Sequence, residues 1–471
     1  MRTIEDHRRS LLRTVSLLGL FAALAPGRAG AAESQSPASI ALAGATINAS
    51  ISVLQPPVSY SDSAAFGVSS GGVTVSGGIS HSDIGSDSTA ALNVGGVWYP
   101  LAIAGSAVGD ANYSLALGIS AAGSVVGGNA RFSSPAPDSA FRFQLNTPNN
   151  PSAGGTTTIL ASPANVSFAG GRTYLSTSIN VASGTPSASF ITSSPVSGGG
   201  SIIVGLATTP QVVVGGSGGL TAASTSLNFT HASYWVGANP VGNDIGTLTP
   251  TNPALSSAAF GVSFDGQIIV GESQVAVASA TQTHAFVYSR STSSITDLGT
   301  AAAAFPNSRA RAASDDGSRI AGESYNYSYN TDGHATLWAR SGSSYLATDI
   351  HNSAIATSSW ATATSGDGSI VVGGYLQSES ESGGAFRYTS PTGMRDLAGL
   401  LTSAGVDMSQ ISLTEATGIS RDGQFITANG NYAIGGGADP GFLLRYLVLS
   451  PPPPPPVSPP PPPPVSPPPP P

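Results

Sequence analysis

One phrase recurs along the chain and limits what it can fold into. It reads Gly-Val-Ser-x-Asp-Gly-x-x-Ile-Val-Gly, and its clearest copy runs from Gly261 to Gly271. Anchored on the serine, copies stand at Ser69, Ser120, Ser197, Ser263, Ser314, Ser365 and Ser420. Each is followed three positions later by glycine, at Gly72, Gly123, Gly200, Gly266, Gly317, Gly368 and Gly423. Successive anchors are 51, 77, 66, 51, 51 and 55 residues apart. A unit of ~50 residues with room for about four short strands matches one blade of a β-propeller. A parallel β-helix would repeat at a much shorter interval. The expected fold is therefore all-β, a seven-bladed β-propeller over residues 32–450, with insertions around 145–195 and 206–230. Ring closure would pair a strand near Ala38–Val53 with the last repeat around Phe442–Tyr446.

Each copy carries its own local physics. Asp265-Gly266, Asp316-Gly317, Asp367-Gly368 and Asp422-Gly423 are turn dipeptides, because glycine accepts positive φ and aspartate bonds nearby backbone. The runs that follow, such as Ile268-Ile269-Val270, are β-branched and bounded by glycine, as in buried strands. These aspartates read as turn formers, since a calcium loop needs several carboxylates. A second phrase lies between copies: a small residue, alternating aromatics, a loop, then Asp-Leu-Gly. Ala285-Phe286-Val287-Tyr288 leads to Asp297-Leu298-Gly299, and Ala385-Phe386-Arg387-Tyr388 to Asp396-Leu397. That alternation fits a strand with one apolar face.

Composition agrees and narrows the function. Only 9% of residues are charged, against roughly 25% in an average soluble domain, and glycine, serine and threonine take their place. All 17 basic residues are arginine, and the net charge is −8. Nucleic-acid binding, which needs a basic face, is excluded on this ground. With no cysteine, neither a disulfide framework nor a thiolate site is available. Without lysine there is no Walker A loop.

The two ends stand apart from the repeats. Arg8, Arg9 and Arg13, an apolar stretch through Leu24, and Ala29-Gly30-Ala31 make residues 1–31 an expected export signal peptide. The apolar run is shorter than the ~20 residues a spanning helix needs, and no such run follows it. The general secretory route fits better than a twin-arginine route, since His7 and Leu11 depart from that motif. Residues 451–471 are proline broken only by two Val-Ser pairs. Proline lacks an N–H, so this tail is expected as a polyproline rod of ~65 Å. It reads as a spacer for attachment to the cell envelope.

His284-Ala285-Phe286 with Asp297-Leu298-Gly299-Thr300, beside Gly261-Val262-Ser263 and Asp265-Gly266, resembles the bacterial HAF-type extracellular repeat. The resemblance spans most of residues 55–447. In the first three copies Gly71, Ala122 and Gly199 replace the turn aspartate. It implies an exported protein, extracellular or on the cell surface, similar to an autotransporter passenger region lacking its C-terminal barrel. The resemblance supplies an address and no reaction; the expected partner is an extracellular glycan or protein ligand, and no cofactor is expected.

Few residues suggest chemistry. Gly67-Val68-Ser69-Ser70-Gly71 matches the Gly-x-Ser-x-Gly nucleophile pattern, but Ser69 is the repeated serine, and no strand-to-helix elbow surrounds it. His231, His284 and His334 hold equivalent places before the aromatic strand. In a ring, equivalent positions can converge on a metal, which makes these three the candidate ligands, but other copies carry Ser139 and Gly384 there, and the expected reading is a histidine capping a strand start with no metal site. Tyr325-Asn326-Tyr327-Ser328-Tyr329-Asn330 is either a contact surface or an ordinary outer strand. The expectation is a non-catalytic binding or adhesion module. Its alternative, a propeller enzyme acting on polysaccharide at a His-lined axial site, requires His231, His284, His334, Glu272 and Glu323 to meet at one mouth of the ring.

Overall fold

The computed structural model describes residues 38–42, 45–81, 88–103, 113–131, 139–163, 173–175, 177–179, 186–190, 195–208, 230–252, 255–277, 280–326, 332–377, 383–433 and 439–449. The expected signal peptide, the proline tail and most of the expected insertion at 206–230 lie outside these residues.

The chain is all-β, built from four-stranded antiparallel sheets in a β-propeller architecture. The sheet nearest the sequence consensus has strands Ser257–Val262, Ile268–Val277, Ala280–Ser289 and Ser294–Asp297, paired in that order. The sheets beginning at Asp62, Ser114 and Asn307 repeat this order of a first, inner strand through to a fourth, outer one. A further four-stranded sheet pairs Thr173–Tyr174, Ile202–Thr208, Thr230–Val236 and Asn243–Gly246. The last two sheets, from Ser358 and from Ile411, join through one bridge between Gly374 and Glu415. The one described helix, Leu397–Ser403, is capped by Asp396, which accepts from the Gly399 N–H at 2.7 Å. Among the described residues no helix is long and apolar enough to cross a membrane.

The two ends of the repeat region meet in one sheet. Ala45–Leu54 lies antiparallel to Gly441–Leu449, with Val53 opposite Phe442 and Ala49 opposite Tyr446. This is the pairing expected from the sequence, with one difference: Ala38–Leu42 folds back as an additional strand on Ala45–Leu54.

The recurring serine has a structural task. Ser69, Ser120, Ser197, Ser263, Ser314 and Ser420 are wholly buried and Ser365 nearly so. In the consensus turn the Ser263 hydroxyl donates to Asp265 Oδ1 at 2.7 Å and accepts from the Ile268 N–H at 3.0 Å. Asp265 Oδ1 also accepts from the Gln267 N–H at 2.9 Å, and Gly266 sits at φ 74°. The copies lacking aspartate keep the second bond: Thr74 N–H donates to Ser69, Val125 N–H to Ser120 and Ile202 N–H to Ser197, each at 3.0 Å. Ser69 is thus spent on its turn, and the nucleophile reading falls. At the turn of Asp316 the Ser318 N–H keeps the carboxyl below the usual carboxylate range.

The glycine that closes the phrase answers to a bulge. Inner strands slip register by one residue, between Ala259 and Gly261 for example. A Cβ on the facing Gly271 would lie 2.0 Å from the Ala258 carbonyl oxygen and 2.8 Å from the Phe286 ring. Only glycine fits there.

A second set of buried serines ties neighbouring sheets together. Ser308, on the inner strand Asn307–Ala313, accepts from the Ala285 N–H of the preceding sheet at 2.9 Å and donates to its Gly299 carbonyl at 2.7 Å. Ser257 does the same toward Ala232 and Gly246. Ala90 donates to Ser114 and Ala335 to Ser359, both at 3.0 Å. Ser63 accepts from Gly441 at 3.2 Å and donates to Leu54 at 2.6 Å, joining the last sheet to the first.

Removing one such hydroxyl leaves a buried N–H and a buried carbonyl unpaired, at a cost of about 1–3 kcal/mol. Ser308→Ala is therefore expected to lower the thermal midpoint by several degrees, whereas Ser291→Ala, on an exposed turn, leaves it within error; calorimetry on both variants checks this.

Candidate functional site

The end of the sheets away from the serine turns carries a row of side-chain pairs. His231, His284 and His334 lie on third strands, and each Nδ1 meets an aspartate of the fourth strand beside it: Asp244 at 2.9 Å, Asp297 at 2.7 Å and Asp349 at 2.7 Å. The same aspartates accept backbone N–H groups two residues on, from Gly246, Gly299 and His351. Asp297 and Asp349 close a turn with Oδ1 and pin the third strand with Oδ2, while Asp244 meets His231 through both oxygens, which explains why His-Ala and the downstream aspartate occur together.

This placement corrects the expectation of a His-lined axial site. Two strands separate each histidine from the axis, and each is paired within its own sheet. Among the described residues no three His, Asp or Glu side chains gather as a metal site. Glu272 and Glu323 do not join the histidines either. Both are fully buried, with Arg309 Nε on Glu272 at 2.7 Å and Arg311 Nη2 on Glu323 at 2.6 Å. Arg309 Nη1 lies 3.5 Å from Glu323 and joins the two pairs. Taking four charges out of water is costly and is compensated only by such mutual pairing. This cluster locks two sheets together; it is walled off from any substrate.

The axis itself is lined by inner strands and by the residues that follow each turn serine: Ser70, Ala121, Gly198, Phe264, Asp315, Gly366 and Arg421. Neighbouring rim residues are linked by backbone bonds, Ser70 N–H to the Ala121 carbonyl at 2.9 Å, Ala121 N–H to Gly198 at 3.0 Å and Gly366 N–H to Arg421 at 2.8 Å. Below the rim the walls mix apolar side chains, such as Val68, Ile119, Val262 and Ile419, with glycines and Thr364.

The row changes character in the sheet from Ser358. Gly384 stands where a histidine stood, and a Cβ there would lie 2.3 Å from the Tyr375 ring. Tyr375 fills that space and donates its hydroxyl to Asp396 Oδ1 at 3.0 Å, so a phenol replaces imidazole as the partner of the carboxylate. Burial, with the Asp396 charge behind it, raises the Tyr375 pKa, and the phenol stays protonated at neutral pH. Tyr375 and Asp396 border an open cleft with Ser353, Ala354, Ile355, Ala356, Thr357 and Gln377. Behind it, His351 accepts from the Ser359 hydroxyl at 2.8 Å and stacks on His334 with centroids 3.8 Å apart. Burial, then the neighbouring His334, lowers the His351 pKa to about 4.

The sequence pointed to the row through its histidines and missed this pair. Asp396 was visible as the copy of Asp297, but Tyr375 sits 21 residues away on a second strand, and nothing local marks it. Of the tyrosine-rich stretch, Tyr325 is fully buried, and residues 327–330 lie outside the described residues.

No family model and no curated protein matches the chain. Among solved structures it is similar to an oligogalacturonate lyase from Vibrio parahaemolyticus, at 9% identity and TM-score 0.48, covering 88% of this chain and 98% of that one. It is similar also to the propeller domain of the Trilobed protease from Pyrococcus furiosus, at 8% identity and TM-score 0.46, covering 83% and 97%. A puromycin-hydrolysing peptidase from Mycobacterium tuberculosis matches at 12% identity and TM-score 0.41, over 80% and 53%. Similarity this distant assigns no reaction. The expectation of a non-catalytic adhesion module is not carried forward: the solved structures the chain is similar to include a lyase, a protease domain and a peptidase.

A His351 with its pKa depressed below 6.5 binds its proton more readily in the unfolded chain, so stability present above pH 6.5 is lost as pH falls toward 4. The thermal midpoint is expected to drop across that window, and His351→Gln to flatten the drop; scanning calorimetry from pH 7 to 4 measures both.

Proposed function

We propose that this is an exported, seven-bladed propeller that acts on polysaccharide at the cleft bordered by Tyr375 and Asp396. The observation that carries the reading is the pair itself: a phenol hydrogen-bonded to a carboxylate on an open cleft. Cleavage of a glycosidic chain needs one group to give a proton and one to take it, and side chains set apart in proton affinity divide those roles. Tyr375 would give its proton to the linkage oxygen as the C–O bond breaks, and Asp396 would take the proton lost by the attacking water or, in an elimination, by the adjacent ring carbon. Gln377, Ser353 and Thr357 supply the amide and hydroxyl groups that recognise a polyhydroxylated chain.

The seven serine turns, each contributing to the axial lining, support the blade count. The pairing of Ala45–Leu54 with Gly441–Leu449 supports a ring held shut by its own ends. Export is supported by the arginine-rich, apolar N-terminal segment and by the resemblance to HAF-type repeats. The proline tail would then hold the propeller off the envelope.

The test is release of reducing ends, or of unsaturated product absorbing in the ultraviolet, from a panel of neutral and acidic polysaccharides. The wild-type chain is expected to cleave at least one. Tyr375→Phe is expected to lose about 10²-fold in kcat with little change in KM or thermal midpoint. No product from any polysaccharide, or full activity in Tyr375→Phe, would overturn the reading.

A further inference from the structure

At the opposite end from this cleft, the mouth of the axis is closed by side chains from turns that are far apart in the chain. Arg421 Nε is paired with Asp315, 106 residues away, and its guanidinium lies 4.0 Å from the centroid of the Phe264 ring. Around the rim the order is Phe264, Asp315, Gly366, Arg421, then Ser70, so Arg421 reaches across the opening rather than along it. The two glycines beside the cap make room for it. A Cβ on Gly198 would lie 1.8 Å from the Phe264 ring, and one on Gly366 would lie 2.6 Å from Arg421 Cγ and 2.7 Å from Asp315 Oδ2.

Beneath the cap is a cavity of about 110 Å³. Its walls include Val68, Ile119, Val196, Val262 and Ile419, and no charged side chain other than Asp315 and Arg421 lines it. The well is smaller than the apolar cavity of ~150 Å³ that holds benzene, and its valines and isoleucines alternate with polar backbone, so it suits a short aliphatic or slim aromatic group beside a polar one. The guanidinium above it is half-exposed, with its side chain 50% accessible, and an arginine fork takes a carboxylate in two parallel bonds. Only one of its nitrogens, Nε, is drawn to Asp315.

We infer that the axial well is a binding site for a small carboxylate with an apolar tail. The tail enters the well, and the carboxylate replaces Asp315 on Arg421. Asp315 holds the site shut until that exchange, so the ion pair is a latch that competes with the ligand. Phe264 becomes the wall against which the tail packs. This site is separate from the Tyr375 cleft and does not depend on the polysaccharide reading.

Benzoate, benzyl alcohol and benzylamine, titrated into the full chain by calorimetry or by ligand-observed NMR, test the inference. Benzoate is expected to bind saturably, and the alcohol and the amine at least about tenfold more weakly, since they lack the charge-assisted pair. Arg421→Gln is expected to weaken benzoate by about the same factor. Asp315→Asn, which releases the latch, is expected to tighten it. Ala313→Leu fills the well from a rim-proximal wall position and is expected to abolish uptake, with circular dichroism verifying that each variant is folded. Absence of saturable benzoate binding would overturn the proposal. So would equal affinity for the alcohol, or benzoate binding that is indifferent to both Arg421→Gln and Asp315→Asn.

Discussion

The structure depends on buried hydroxyls. A propeller must bind each sheet to the next across faces that are mostly small side chains, and in this chain charge is too scarce to do it: 9% of residues are charged. The inner-strand serines Ser63, Ser114, Ser257, Ser308 and Ser359 each receive an N–H from the preceding sheet. A hydroxyl both donates and accepts, so one small group satisfies backbone on two sheets while leaving the close approach of strands intact. A longer polar side chain would push the sheets apart. Some of the serine that composition alone presents as filler serves as a set of specific joints.

Much of this architecture was legible because the same physics is written many times. The serine anchor, the turn glycine and the β-branched run repeat at fixed offsets, and each instance has one cause: a turn closed by a hydroxyl, a positive φ, a strand end. The pairing of Val53 with Phe442 could likewise be anticipated, because a chain of like sheets leaves one unpaired edge at each terminus. The second serine register was not read, although it stands six positions before the first. Its partners are N–H groups of another sheet, and a sequence shows no sign of which backbone group a hydroxyl faces.

The candidate site was legible only as a pattern of exceptions. His231, His284 and His334 stood out by recurrence, and recurrence proved to be the mark of structure: each serves its own aspartate. The departure from the pattern is the informative position. Gly384 breaks the histidine series, and the space it leaves admits Tyr375 to Asp396. The same holds for Arg421 and Phe264, which follow the turn serine where other copies have Ser70, Ala121, Gly198 and Gly366. In a repeat protein the consensus builds the frame, and side chains that violate it are free to be selected for something else.

That division also accounts for where the charges went. Glu272, Glu323, Arg309 and Arg311 are sealed between two sheets, where removing one partner would strand another in a dry interior. The sheets they join are the ones that carry His284 and His334, next along the row from the Tyr375 cleft. Rigid registry there has a consequence for chemistry. A hydrogen-bonded pair contributed by different strands, such as Tyr375 and Asp396, keeps its spacing only if the strands cannot slide. A chain with few charges thus commits four of them, on the first and second strands just inside the histidine row, to fixing neighbouring sheets in register.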